Sequence, residues 1–235
     1  MQVGVIASVN EARADRFSHR TAIVIDVLRA TSTMVAALEA GATGIVPTET
    51  VLEAKALHRP GDLLGGERFC RKITGFDLGN SPQEYKSETV GGKRLVLTTT
   101  NGTRAIIKSM RADNVLAGAI VNATACARTI VELRRDAILL CAGSHDEFAV
   151  EDGLCAGLLL DRLEALIGQP VETDDFGTAM LALYRDRRQA VAETVGGGTT
   201  GRRLIKMGLG TDIDWCSAVD TSDLVPRLNG DWLTK

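Results

Sequence analysis

The sequence predicts an α/β fold, with a largely parallel central sheet covered on both faces by helices. Two observations carry this. Apolar, β-branched runs such as Thr21-Ala22-Ile23-Val24-Ile25 and Ala137-Ile138-Leu139-Leu140 lack the alternation of a half-exposed strand and read as strands buried on both faces. Between such runs lie stretches of helical spacing, and alternation of strands with helices implies parallel strands joined by crossovers. At 235 residues the chain can bury one large core, and no repeat, low-complexity segment or linker divides it. A single domain over residues 1–235 is expected, with the part from about residue 170 as a subdomain or lid.

Val3 to Ala7 reads as a first short strand, and Asn10 to Ser18 as a helix or ordered loop. The run from Thr21 to Leu28 is a buried strand with Asp26 near its end, and Met34 to Ala40 is helix-like, stopped by Gly41. Gly44 to Pro47 reads as a strand, and Thr50 to Leu57 as a helix ending at the turn Arg59-Pro60-Gly61-Asp62. Leu63 to Arg68 reads as a strand closing in Gly65-Gly66-Glu67-Arg68, and residues 74–82 as a loop long enough to be functional. Gln83 to Thr89 is a weak helix, and Arg94 to Leu97 a buried strand. Strands at Val115–Ala119 and Ala137–Gly143 bracket a helix at Asn122–Arg134. Glu151-Asp152 opens a long helix with leucines at helical spacing, and helical patterns continue from Asp175 to Val195. Gly196 to Gly201 reads as a flexible joint or substrate lid, Asp212 to Val219 as a strand, and the last residues as irregular.

Composition excludes several classes. A net charge of −3 and only 4% aromatic residues argue against nucleic-acid binding, which needs a basic stripe and stacking platforms. No apolar run approaches a membrane span, and the N-terminus is too soon polar for a signal peptide. Cys70, Cys126, Cys141, Cys155 and Cys216 are odd in number and contain no C-x-x-C pair, which suits reduced thiols in a cytoplasm.

Chemistry collects where strands end. Thr98-Thr99-Thr100-Asn101-Gly102-Thr103-Arg104 follows a buried strand and precedes a helix, so it offers hydroxyl and amide donors, glycine's close approach and a guanidinium fork. Asp26 with Arg29, Glu67 with Arg68, and Cys141 through Glu151-Asp152 stand at three other strand ends. In parallel sheets all four clusters converge on one crevice. Asp26, Glu67, Glu151 and Asp152 beside an anion cradle suit a hard cation such as Mg²⁺, with the arginines meeting a phosphorylated substrate. Each has a bland alternative: helix-dipole partners for Glu151 and Asp152, a solvated pair for Glu67 and Arg68, packing for Cys141. His145 is the one histidine in these clusters, a general-acid candidate; His19 and His58 read as surface residues. Gly196-Gly197-Gly198-Thr199-Thr200-Gly201 is not a Walker A loop, because Arg202-Arg203 stands where Lys-Ser/Thr is required.

The strings V-I-D-V-L-R-A-T-S-T (24–33), G-G-E-R (65–68), G-F-D-L-G-N-S-P (75–82), T-T-N-G-T (99–103) and C-A-G…F-A-V-E-D (141–152) resemble the 2-phosphosulfolactate phosphatase family of coenzyme M biosynthesis. The tail D-I-D-W-C-S-A-V-D (212–220) resembles that family's C-terminal signature, so the likeness spans nearly the whole chain. It implies a three-layer α/β/α sandwich with a largely parallel or mixed sheet, and a Mg²⁺-dependent phosphatase releasing 3-sulfolactate and phosphate. On these strings Asp26, Glu67 and Cys141 are the catalytic candidates, and Asp26, Glu67, Glu151 and Asp152 the metal candidates. The anion-binding candidates are Arg29, Thr31, Ser32, Arg68, Asn80, Ser81, Thr100, Asn101, Gly102, Thr103 and Arg104. His145 and the triple glycine fall outside the pattern. Asp26 stays open between nucleophile and metal ligand.

Two rival readings remain at this level. One is an isochorismatase-like cysteine hydrolase on Asp26 and Cys141, which lacks a suitably placed lysine; the other is a non-catalytic phosphometabolite-binding protein. A small anionic substrate, no nucleic acid, no membrane, and a homodimer are the expected partners.

Overall fold

The computed structural model describes residues 1–235. In chain order the elements are β1 (Gln2–Ile6), β2 (Thr21–Ile25), α1 (Ala30–Glu39), β3 (Gly44–Thr48), α2 (Val51–Leu57), β4 (Leu63–Arg68), β5 (Arg71–Lys72), α3 (Ser87–Val90) and β6 (Arg94–Thr98). There follow α4 (Gly102–Lys108), β7 (Asn114–Gly118), α5 (Ala123–Leu133), β8 (Ala137–Cys141), α6 (Val150–Ile167) and β9 (Glu172–Thr173). The chain ends in α7 (Asp175–Arg187), α8 (Val191–Gly197), α9 (Thr199–Lys206), α10 (Gly210–Cys216) and the hairpin β10 (Arg227–Asn229) and β11 (Trp232–Thr234).

All eleven strands join one mixed sheet in the order β5-β4-β6-β3-β11-β10-β7-β2-β8-β1-β9. Two parallel groups make up most of it. In one, β2 lies between β7 and β8, in register Ile23↔Leu116 and Ile23↔Leu139, and β1 and β9 extend it. In the other, β6 lies between β3 and β4. The C-terminal hairpin joins the groups, antiparallel to both, through Leu233↔Ile45 and Arg227↔Leu116.

Alternation along the central strands builds two cores. Ile23, Ile25, Leu139 and Cys141 face one way and pack with Leu154, Leu158 and Leu159 of α6 and Ile130 of α5. Ala22, Val24, Ile138 and Leu140 face the other way and pack with Met34 and Leu38 of α1 and Ile106 of α4. Successive strand residues point to opposite faces, so one buried strand serves both layers. This is the three-layer α/β/α arrangement.

Three local expectations are corrected. Residues expected as a strand at Asp212–Val219 form α10 instead: the alternation D-I-D-W suggested a period of two, but the buried positions are Asp212, Ile213 and Cys216, a helical spacing. The expected flexible joint is helical, since Gly196-Gly197 close α8 and Gly201 lies within α9. A Cβ on Gly201 would stand 2.2 Å from the Val195 carbonyl oxygen, so the glycine serves close packing of the two helices. The last residues, expected to be irregular, form the hairpin that joins the sheet.

Candidate active site

Asp26 ends the buried strand β2. Its Oδ1 accepts the Ala30 N–H at 3.1 Å and its Oδ2 accepts no hydrogen bond. The turn beneath it is fastened by the two hydroxyls that follow. Thr31 Oγ1 accepts the Asp26 N–H at 3.0 Å and donates to the Asp26 carbonyl at 2.9 Å, and Ser32 Oγ donates to the Val27 carbonyl at 2.8 Å. Thr31 and Ser32, expected to bind substrate, thus hold the strand-to-helix junction. Gly102 gives Asp26 its room: a Cβ there would lie 2.5 Å from Asp26 Oδ2.

The stretch expected to cradle a foreign anion receives one of the protein's own. Glu67 Oε1 accepts both the Thr100 N–H (2.8 Å) and the Thr100 hydroxyl (2.9 Å), and its Oε2 accepts the Cys70 N–H (2.7 Å). Thr99 and Thr103 bond each other across the start of α4, with N–H to hydroxyl contacts of 3.0 Å in both directions. Arg104 turns outward to Asp146 (3.0 Å) and Asn10 (2.6 Å). Arg68 donates to the carbonyls of Glu67 and Glu49 and to the Thr98 hydroxyl, so its fork is spent on the scaffold. Neither arginine lines the cleft. Asn101 does, and its Nδ2 reaches the Gly143 carbonyl at 2.9 Å, linking the end of β6 to the end of β8. The four strand ends therefore meet, as expected, but the bulk of the Thr98–Arg104 donors are already engaged.

Arg29 is the arginine that stays. Only 4% exposed, it donates to Asp212 Oδ2 at 2.6 Å and to the Cys70 carbonyl at 3.1 Å. Asp212 also accepts the Ser81 hydroxyl at 2.6 Å and the Gln83 amide at 3.1 Å. Ser81 is thus a partner of the buried pair. Asn80 lines the cleft with its Oδ1 buried and unpartnered.

Of the acids at the start of α6, Asp152 is a strap: its two oxygens accept the Val27 and Gly143 N–H groups, each at 2.9 Å. Glu151 is different. It is 2% exposed and its Oε2 has no hydrogen-bond partner. Burial pushes the Asp26 carboxyl up to about 7, with the Glu67 and Glu151 charges adding to it against the Ala30 N–H and Arg29. Burial likewise raises Glu151, and raises Asp152 well above the carboxylate range with help from Asp26 and Glu151. The expected four-acid metal set is not assembled as ligands: no three His, Cys, Asp or Glu side chains are grouped to hold an ion. Glu67 and Asp152 are instead consumed by backbone donors.

Cys141 is fully buried, and burial with the neighbouring acids pushes its thiol well above its ordinary value. A nucleophilic cysteine needs the thiolate and access. Cys141 has neither, so it belongs to the core.

Sequence reasoning missed part of the cleft wall. Phe69, Cys70, Ser144, Thr200 and Arg203 line it, and His145, discounted above, lines it too. Arg203 counted only against a Walker motif, and Asp212 was hidden by its misassigned strand. The signal for Asp212 was the helical spacing it shares with Ile213 and Cys216.

A polar cleft at converging strand ends, lined by Asp26, Glu67 and the fixed guanidinium of Arg29, marks the candidate site of this α/β protein. The chain matches the 2-phosphosulpholactate phosphatase family over residues 6–231, and it belongs to that family, whose name places it among phosphoric monoester hydrolases. It is 36% identical over 238 residues, all of both chains, to a Clostridium novyi protein named "Probable 2-phosphosulfolactate phosphatase". Proteins of the same name from Caldanaerobacter subterraneus (40% over 213 residues, 89% of this chain and 88% of the relative) and Thermotoga maritima (39% over 217 residues, 92% of each) are similar. No helix of the protein is long and apolar enough to cross a membrane.

Proposed function

We propose that the protein is a Mg²⁺-dependent phosphatase that hydrolyses 2-phosphosulfolactate to 3-sulfolactate and phosphate, or a small phosphorylated hydroxy acid of similar shape to the free hydroxy acid and phosphate. The observation that carries this reading is Asp26, a cleft-lining carboxylate with one oxygen tied to the backbone and the other free.

The donor set fits a hard cation. An unpartnered buried carboxylate oxygen is costly, and Glu151 Oε2 is one beside the crowded Asp26. Mg²⁺ commonly takes only one or two carboxylates from a protein and completes its shell with phosphate and water. Asp26 and Glu151 would hold it, while Asp152 and Glu67 fix the loops that present them. When bound, the cation would supply charge neutralisation at the phosphoryl oxygens and a more acidic water. The chain's own residues supply placement. Arg29, immobilised by Asp212 and the Cys70 carbonyl, offers a positive charge at a fixed position. Phosphoryl transfer asks mostly for positioning and electrostatic stabilisation, which this arrangement offers.

The test is phosphate release from 2-phosphosulfolactate with Mg²⁺, after EDTA, and with Mg²⁺ restored. Release should vanish and return; none under any condition from folded protein would sink the proposal. Cys141→Ala should keep turnover within about two-fold, because a buried thiol takes no part. A 100-fold loss with the fold intact, on the order of a missing nucleophile, would reopen the cysteine-hydrolase reading.

A further inference from the structure

One positive charge in the cleft is unspent. Arg29 is paired with Asp212 and Arg104 faces Asp146 outside, but no carboxylate lies within ion-pair distance of Arg203. Its one hydrogen-bond partner is His145, with Nη1 and Nε2 2.8 Å apart. A guanidinium can only donate, so Nε2 accepts and the imidazole proton sits on Nδ1. The His145 ring stacks on Phe69 with centroids 6.2 Å apart. His145 therefore orients the guanidinium without cancelling its charge.

Arg203 is also firmly mounted. It follows Thr200 by one turn of α9, and both line the cleft. The adjoining Leu204 is fully buried, and at the start of the helix a Cβ on Gly198 would stand 2.8 Å from Glu151 Oε2. The helix that carries Arg203 thus abuts the acid end of the cleft. Arg203 and Arg29 stand in the wall of the same cleft, and the charge of both is felt at Cys70.

We propose that Arg203, positioned by His145, receives a second anionic group of the substrate, a carboxylate or sulfonate, while the phosphoryl group lies at Asp26 and Arg29. The site then selects small phosphate esters that carry a further anion near the ester carbon. A planar fork suits both oxyanions and is not replaced in full by a lysine. The assignment of the first anion rests on the phosphatase reading above.

The full-length protein and its Arg203→Gln, Arg203→Lys and His145→Gln variants are compared on 2-phosphosulfolactate and on p-nitrophenyl phosphate, which has no second anion. Arg203→Gln should raise KM for 2-phosphosulfolactate by about 10- to 100-fold with kcat within about three-fold, the scale of one charged hydrogen-bonding contact. The loss should exceed that on p-nitrophenyl phosphate by at least about ten-fold. Arg203→Lys should recover part of it, and His145→Gln should raise KM several-fold. Equal losses on both esters, or none on either, would overturn the assignment. Calorimetric binding of 3-sulfolactate, which carries both other anions and no phosphate, decides separately. It should weaken about ten-fold or more in Arg203→Gln; equal binding to both proteins, or none to either, overturns the assignment. If the wild-type protein hydrolyses neither ester but the binding difference appears, the phosphatase reading falls and Arg203 keeps its role.

Discussion

Asp26→Asn is expected to reduce phosphate release by about two to three orders of magnitude or more and, in metal-free protein at pH 8, to raise the melting temperature. The two effects share a cause. Burial and the nearby acids lift the Asp26 carboxyl from its usual 3.8 to about 7 in the folded protein. Between those values the folded state holds a proton that the unfolded state has released, so stability is lost as pH rises from about 4 to about 7. Above that window the charged carboxylate costs on the order of 1–4 kcal/mol, and an asparagine that keeps the Ala30 hydrogen bond avoids it. Thermal melts of both proteins from pH 4 to pH 8, in EDTA and in Mg²⁺, check this. The melting curves should converge toward pH 4 and separate toward pH 8 in EDTA, and Mg²⁺ should narrow the gap by stabilising the wild type alone. A variant no more stable than wild type at pH 8 would show that Asp26 is not strained by its site. Near-normal turnover would remove it from the reaction.

Asp212→Ala is expected to cost about 3–5 kcal/mol of stability, because it strands a guanidinium that has no other carboxylate. Side-chain exposures of 4% for Arg29 and 1% for Asp212 leave little room for water to replace the partner. The Ser81 hydroxyl and the Gln83 amide lose their acceptor as well. Turnover should fall with stability, since Arg29 loses the contact that fixes its direction toward the cleft. Urea unfolding of Asp212→Ala, Arg29→Met and the double variant separates the contributions. The double variant should be more stable than the sum of the single losses predicts, because it buries no orphaned charge. Strict additivity would mean that the two side chains do not depend on each other.

The layer architecture was legible because β2 and β8 are buried throughout and apolar at every position but Thr21, a pattern that buried parallel strands produce and that nothing in the loops obscures. The convergence of Asp26, Glu67, Asn101 and Glu151 was legible for the same reason: strand ends are predictable from where apolar runs stop. The roles were less so. Whether Thr100 serves a ligand or Glu67 depends on a neighbour 33 residues away, which no local pattern encodes. Asp212 lay in an alternating string whose buried positions only the tertiary contacts disclose. Arg203 and His145 come from segments 58 residues apart and become one feature only in space. The family strings identified the chain but not its electrostatics, since they include Arg68 and Thr103, whose hydrogen bonds point into the scaffold.

The C-terminal hairpin has a consequence for solubility and assembly. β3 and β7 each have one flank covered by a parallel neighbour and the other only by the short strands β11 and β10. Lift the hairpin away and two rows of backbone amides and carbonyls stand open in the middle of the molecule, ready to template strands of another chain. Eight residues from Arg227 to Thr234 therefore act as an edge guard, and the depth of Leu233, fully buried, measures how firmly the guard is seated.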